Sequence, residues 1–208
     1  MLLANRYFAK LMERFIFTKT YFLHTVHTIN LFKREDRLLS ISKQAKEQHF
    51  ALYVWEGVIE QRPFIGIGKA HRQIIKYAKE QGLKYVTVCE DDCAFTSLNA
   101  FDYYMAKKPE DFDLWLGMIY AGEIKDGRIM NGFSGLTLYT VHERFYDEFL
   151  ATDPNDHLDR FLGNTAFKNK YYVCEPFVCH QTGGMSDNFR KEMNYKVYHD
   201  KMNFYVGM

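Results

Sequence analysis

This sequence predicts an α/β layered fold, on three observations. From residue 24 onward, strand-like apolar stretches alternate with stretches of helical period, which is the pattern of strands and helices stacked in layers. The stretch LKYVTVC, residues 83–89, is almost continuously apolar, as a strand covered on both faces of a parallel sheet must be. That strand then runs into three adjacent carboxylates, Glu90, Asp91 and Asp92, at the end where α/β sheets bind ligands.

The elements follow in order. HTVHTINLF, His24 to Phe32, has β-branched alternation and predicts the first strand. A charged turn leads into a helical pattern through REDRLLSISKQAKEQ, with Asp36 placed to cap its start. FALYVWEG predicts a second strand ending at Gly57. Ile67, Ala70, Ile74, Ile75 and Ala78 recur at helical spacing from Gly66 to Gln81, and Gly82 supplies a left-handed stop. After the acidic strand, SLNAFDYYMAKK predicts a short helix and FDLWLGMIY a buried strand. The glycine-rich AGEIKDGRIMNGFSG predicts a loop or hairpin, followed by a strand at LTLYTV and a helix at HERFYDEFLA. Asp153-Pro154 predicts the start of a helix through NDHLDRFLG. KYYVCEPFVCHQ, split by Pro176, predicts two short strands or a strand edge.

With 208 residues and no internal repeat or linker, one domain over 1–208 is expected, with residues 1–22 as a helical extension and 189–208 as a tail. A formal net charge of +1 gives no global reason to bind nucleic acid. The segment LLANRYFAKLMERFIF places Leu3, Tyr7, Leu11 and Phe15 on one face, which favours a helix packed on the domain, with peripheral membrane contact as the second reading. Charged residues interrupt the early apolar run and the four cysteines make no disulfide framework, so a cytoplasmic setting is expected.

Holding three carboxylates together at a buried strand end is costly unless a cation or several donors stand nearby. If the chain stays extended, Glu90 and Asp92 face one way and Asp91 the other. Hard oxygen ligands in that position suit Mg²⁺ or Mn²⁺ bridging to a diphosphate. The plainer reading is a cap on the following helix, supplied by Asp92 or Thr96. A zinc site from Cys89, Cys93, Cys174, Cys179 and His180 is disfavoured by its spacing, and the cysteines are expected in the core.

PFIGIGKAHRQIIKYAKEQGLKYVTVCEDDCAF resembles the diagnostic block of the family 25 glycosyltransferases, the lipopolysaccharide and collagen sugar transferases. Gly66, His71 and Glu90-Asp91-Asp92 keep that block's spacing. Further blocks agree in order: INLFKREDR with Asn30, Leu31, Asp36 and Arg37, FDLWLG ending in Gly117, SGLTLYTV from Gly135, LDRFL with Asp159, and GGMSDN with Ser186 and Asp187. Ala70 stands where the family usually has serine, and Phe64 where it often has an acid. The resemblance implies a GT-A fold, a Rossmann-like nucleotide half joined to an acceptor half in one mixed, mostly parallel sheet flanked by helices. It implies a UDP-sugar donor, a Mn²⁺ or Mg²⁺ ion, and a glycan, glycolipid or protein acceptor, as in lipopolysaccharide biosynthesis. On that analogy Glu90, Asp92 and His180 hold the metal. Asn30, Arg37, His71, Glu90 and Asp91 line the nucleotide, and Asp159, with Asp156 as runner-up, is the base of an inverting displacement. A catalytically silent module that binds nucleotide-sugar or glycan is the competing expectation.

Overall fold

The computed structural model describes residues 23–188 and 190–207. The expected N-terminal helix lies outside the described residues. Among those described, no helix is long and apolar enough to cross a membrane.

The core is an eight-stranded sheet in the order β2-β1-β3-β8-β5-β9-β7-β6. Its members are β1 (Thr25–Asn30), β2 (Ala51–Glu56), β3 (Tyr85–Glu90), β5 (Leu114–Leu116), β6 (Ala121–Lys125), β7 (Arg128–Ser134), β8 (Leu138–His142) and β9 (Tyr171–Val173). Parallel pairing joins β1 to β2 and β3 and joins β5 to β9; the antiparallel contacts of β8 and β7 make those two strands run against the rest. A mixed α/β sheet with most strands in one direction is therefore the observed class. Short β4 (Cys93–Phe95) pairs with β10 (Cys179–Gln181), and β11 (Gly184–Ser186) pairs with β12 (Lys191–Met193).

Two helices make the parallel half. Helix α1 (Glu35–Glu47) buries Leu38, Ile41 and Ala45 in the same core as Val26, Phe101 and Tyr104, the last two from α3 (Ala100–Lys107). Helix α2 (Pro63–Glu80) buries Ile74, Ile75 and Ala78 in the opposite core, with Phe149 of α4 (Tyr146–Leu150) and Leu158 and Leu162 of α5 (Leu158–Asn164). Covering both faces explains the unbroken apolar character of β3: Val86 and Val88 enter one core while Cys89 enters the other. The chain leaves β1 toward β2 and returns past it to β3, so the carboxyl ends of β1 and β3 border the crevice where a sheet of this kind binds ligands.

Several local expectations are corrected. Asp36 does not cap α1; the preceding Arg34 holds it at 3.0 and 2.9 Å, and no side chain caps that helix. The helix expected at Asp153-Pro154 begins at Leu158, because the Asp153 carboxylate accepts from the Asn155 N–H at 2.8 Å and closes a turn instead. HERFYDEFLA divides into a 3₁₀ turn, Glu143–Phe145, and α4. The tail forms β12 and a last helix, α6 (Lys196–His199), against the body. Gly82 does end α2, with φ +63°.

Gly66 lets the segment after β2 close on α2: a Cβ there would sit 2.1 Å from the Val58 carbonyl oxygen. Backbone cannot yield as a side chain can, so Gly66→Ala is expected to cost about 1–3 kcal/mol of unfolding free energy in urea melts. His27 is buried, with Nδ1 accepting from Trp55 Nε1 at 2.9 Å, and burial pushes its pKa down to about 4. The folded state keeps the ring neutral while the unfolded chain protonates near pH 6.5, so its contribution is full above that pH and is lost as pH falls toward 4. Melts at pH 7 and pH 4 are expected to differ by about 3 kcal/mol less in His27→Phe than in the unsubstituted protein.

Candidate functional site

Glu90 ends β3, and the chain turns at once, so strand alternation does not continue into the triplet. The expectation that Asp91 faces away is corrected: Glu90, Asp91 and Asp92 all line one cavity of about 550 Å³. Asp91 and Asp92 are both 8% exposed, so their charges must be met by protein groups. Arg37 of α1 meets both, with one guanidinium nitrogen 3.0 Å from Asp91 Oδ1 and 3.1 Å from Asp92 Oδ2. Asn30, at the end of β1, donates to Asp91 Oδ2 at 2.7 Å. Gln181 of β10 donates to Glu90 at 2.9 Å and to Asp92 at 3.4 Å. Burial first, and then the charge of Glu90, pushes the Asp92 carboxyl up to about 7. Burial also raises Asp91, against the pull of Arg37 and Asn30. Neither Asp92 nor Thr96 caps α3, whose preceding residue Asn99 makes no capping bond; Thr96 Oγ1 donates to the Val178 carbonyl instead.

His71, 1% exposed on α2, shares a 2.6 Å hydrogen bond with the Tyr139 hydroxyl and stands 3.7 Å from Glu90. Asp159 lines the same cavity from α5, and its Oδ2 accepts from the Gly135 N–H at 3.0 Å. Asp156 does not line it; that carboxylate accepts from the His157 N–H at 2.7 Å. His180 is also not brought to the acids. Pairing with β4 turns Gln181 toward them, while the His180 ring lies 4.5 Å from that of His199 and 5.8 Å from Phe204. Among the described residues no three His, Cys, Asp or Glu side chains gather as a metal set, and the four cysteines are buried and unpaired.

Other cavity residues could not be read from the sequence. Phe64, at the position departing from the resembled block, stacks on His157 with centroids 4.4 Å apart. Tyr120 stacks on Tyr195 at 5.3 Å, which makes the tail part of the wall. Asp187 is gripped by Lys33 at 2.5 Å and Arg34 at 2.7 Å, and Arg34 and Arg37 both donate to the Met185 carbonyl at 3.0 and 3.1 Å. Strand parity gave one available signal: if β10 pairs with β4, either His180 or Gln181 faces the acids, never both.

The donor set fits a hard divalent cation. Glu90 and Asp92 both reach one amide nitrogen of Gln181, so their oxygens converge on a common point. Two carboxylates suffice where substrate phosphates and water complete the shell.

No protein-family model matches the chain, and no curated protein matches it. Solved structures do. One is a glycosyltransferase involved in the glycosylation of the major capsid of PBCV-1, at 10% identity and TM-score 0.49, covering 73% of this chain and 81% of that one. A putative glucose-1-phosphate thymidylyltransferase from Bacillus anthracis matches at 11% identity and TM-score 0.44 over 72% of this chain and 67% of the other. Mannose-1-phosphate geranyltransferase from Thermus thermophilus matches at 8% identity and TM-score 0.42 over 72% of each. At these values the likenesses carry no functional argument, which rests on the site's own geometry.

Arg37→Met leaves two buried carboxylates without their shared counter-charge and is expected to destabilise the protein by about 3 kcal/mol. Adding Mn²⁺ is expected to recover more of the melting temperature in Arg37→Met than in the unsubstituted protein, because the cation then meets no competing guanidinium; equal recovery in both speaks against a shared position.

Proposed function

We propose that the protein is a metal-dependent glycosyltransferase of the GT-A type, related to family 25, that moves a hexose, galactose or glucose, from a UDP-sugar to a glycan, glycolipid or protein hydroxyl with inversion. The observation that carries this reading is that Glu90, Asp91 and Asp92, at and just after the carboxyl end of β3, all line one 550 Å³ cavity at the switch of the sheet. Carboxyls pushed up by burial in a cleft, as Asp91 and Asp92 are, make that cleft a functional-site candidate.

Glu90 and Asp92 are the residues that would hold Mn²⁺ or Mg²⁺, and Asp91 is oriented by Asn30 and Arg37. A bound divalent ion supplies charge to stabilise a departing diphosphate. Arg37, beside both acids, would be placed to donate to phosphate oxygens if a bound ion took over part of their charge. His71, buried and hydrogen-bonded to the Tyr139 hydroxyl, stands 3.7 Å from Glu90. Asp159 is the base: it lines the cavity on a different element, its Oδ2 accepts from the Gly135 N–H and its Oδ1 from the Arg160 N–H at 2.9 Å, and the remaining lone pairs of the carboxylate can accept the acceptor's proton. Asp156, held outside the cavity, is set aside for that role.

One observation favours the silent module. Arg37 already bridges Asp91 and Asp92, so the cluster has a counter-charge of its own. Two variants separate the readings. Asp92→Ala is expected to abolish the Mn²⁺-dependent thermal shift caused by UDP, together with hydrolysis of UDP-galactose and UDP-glucose. Asp159→Asn is expected to keep the shift and lose about 10²–10⁴-fold in transfer rate. Turnover retained in Asp92→Ala sinks the proposal, and UDP binding without turnover of any donor leaves the silent module.

A further inference from the structure

A second cavity, of about 360 Å³, abuts the acidic one and shares Tyr120, Ala121 and Tyr198 with it. Its size lies within the range of small-ligand sites, about 300–1,000 Å³. Its chemistry differs from that of its neighbour. Where the acidic cavity gathers carboxylates, this one offers one acid, Glu175, one base, Lys201, and one amide, Asn203, all exposed. These charges cancel. A phosphate or carboxylate ligand would meet Glu175, and a cationic one would meet Lys201. An uncharged polyhydroxyl ligand uses both, donating to the carboxylate and accepting from the ammonium and amide.

The apolar walls suit the same ligand. Tyr198 is 49% exposed and stands edge-on to Tyr120, with centroids 5.7 Å apart and planes at 66°. Tyr120 is fixed by its stack on Tyr195 and by the Gln181 N–H, which donates to its hydroxyl at 3.2 Å. Phe177 adds a third ring. Held rings present flat apolar faces with little ordering cost, which is what the C–H face of a sugar ring needs. The cavity also borders β6, the terminal strand of the sheet, whose outer backbone groups lie beyond the ladder.

We infer that this second cavity is a saccharide subsite, binding one neutral sugar unit of the acceptor and directing the next toward the acidic cavity past Tyr120 and Tyr198. The word acceptor rests on the glycosyltransferase reading above; saccharide binding does not. The test is saturation-transfer NMR with methyl β-glucoside, methyl β-galactoside and lactose at millimolar concentration, with thermal shifts by UDP and Mn²⁺ run in parallel. At least one of the three sugars is expected to saturate. Its binding is expected to weaken about fivefold or more in Glu175→Gln and in Lys201→Ala, the loss of one hydrogen bond in each. Both substitutions lie outside the acidic cavity, so the UDP shift is expected to stay as in the unsubstituted protein. Saturation of none of the three sugars, or binding unchanged in both variants, overturns the inference. Sugar binding that is lost in the variants while UDP and Mn²⁺ give no shift in any form leaves the saccharide site standing and removes the glycosyltransferase reading.

Discussion

The guanidinium of Arg37 between Asp91 and Asp92 is the interaction on which the rest of this site depends. Two like charges about 4 Å apart repel by roughly 4 kcal/mol at the effective dielectric of a protein surface, and three consecutive acids at a buried strand end multiply that pressure. The donors that relieve it come from separate parts of the chain: Arg37 from α1, Asn30 from β1 and Gln181 from β10. Each is held by its own element, so the turn after Glu90 can keep its shape only when the parallel half, the short β4–β10 ribbon and α1 are all in place.

Arg37, together with Arg34, also ties β11 and the turn after it to the site. Arg34 and Arg37 share the Met185 carbonyl, and Arg34 holds Asp187. Arg37 of α1 and Arg34 just before it thus connect the acidic cluster to the chain that runs on to Tyr195 and Tyr198, both packed on Tyr120.

Burial divides the molecule into regions of different chemistry. The acidic cavity keeps its carboxylates nearly out of water, where a charge partner is worth most. The neighbouring cavity leaves Glu175 and Lys201 exposed, where charge matters less and ring faces and hydrogen bonds matter more. The tyrosines between them belong to both, so chemistry on one side and recognition on the other share a wall.

By itself, the sequence determined the order of strands and helices through the parallel half, the double burial of β3, the stop at Gly82 and the placement of Glu90, Asp91 and Asp92 at a strand end. These are local facts: periodicity, apolar run length and a glycine's φ depend on neighbours in the chain. Only the tertiary structure decided which side chains meet. Asp91 turned into the cavity because the strand ended at Glu90, before the alternation that was to run through Asp92. Gln181 rather than His180 reached the acids because pairing with β4 set the parity of β10. Asp36 was taken by Arg34 before it could cap α1, and of two carboxylates that each accept from the next residue's N–H, Asp159 also met the Gly135 N–H and entered the cavity while Asp156 did not. Each of these outcomes depends on register, or on a contest between partners distant in the chain or close at hand, and neither is written in residue spacing.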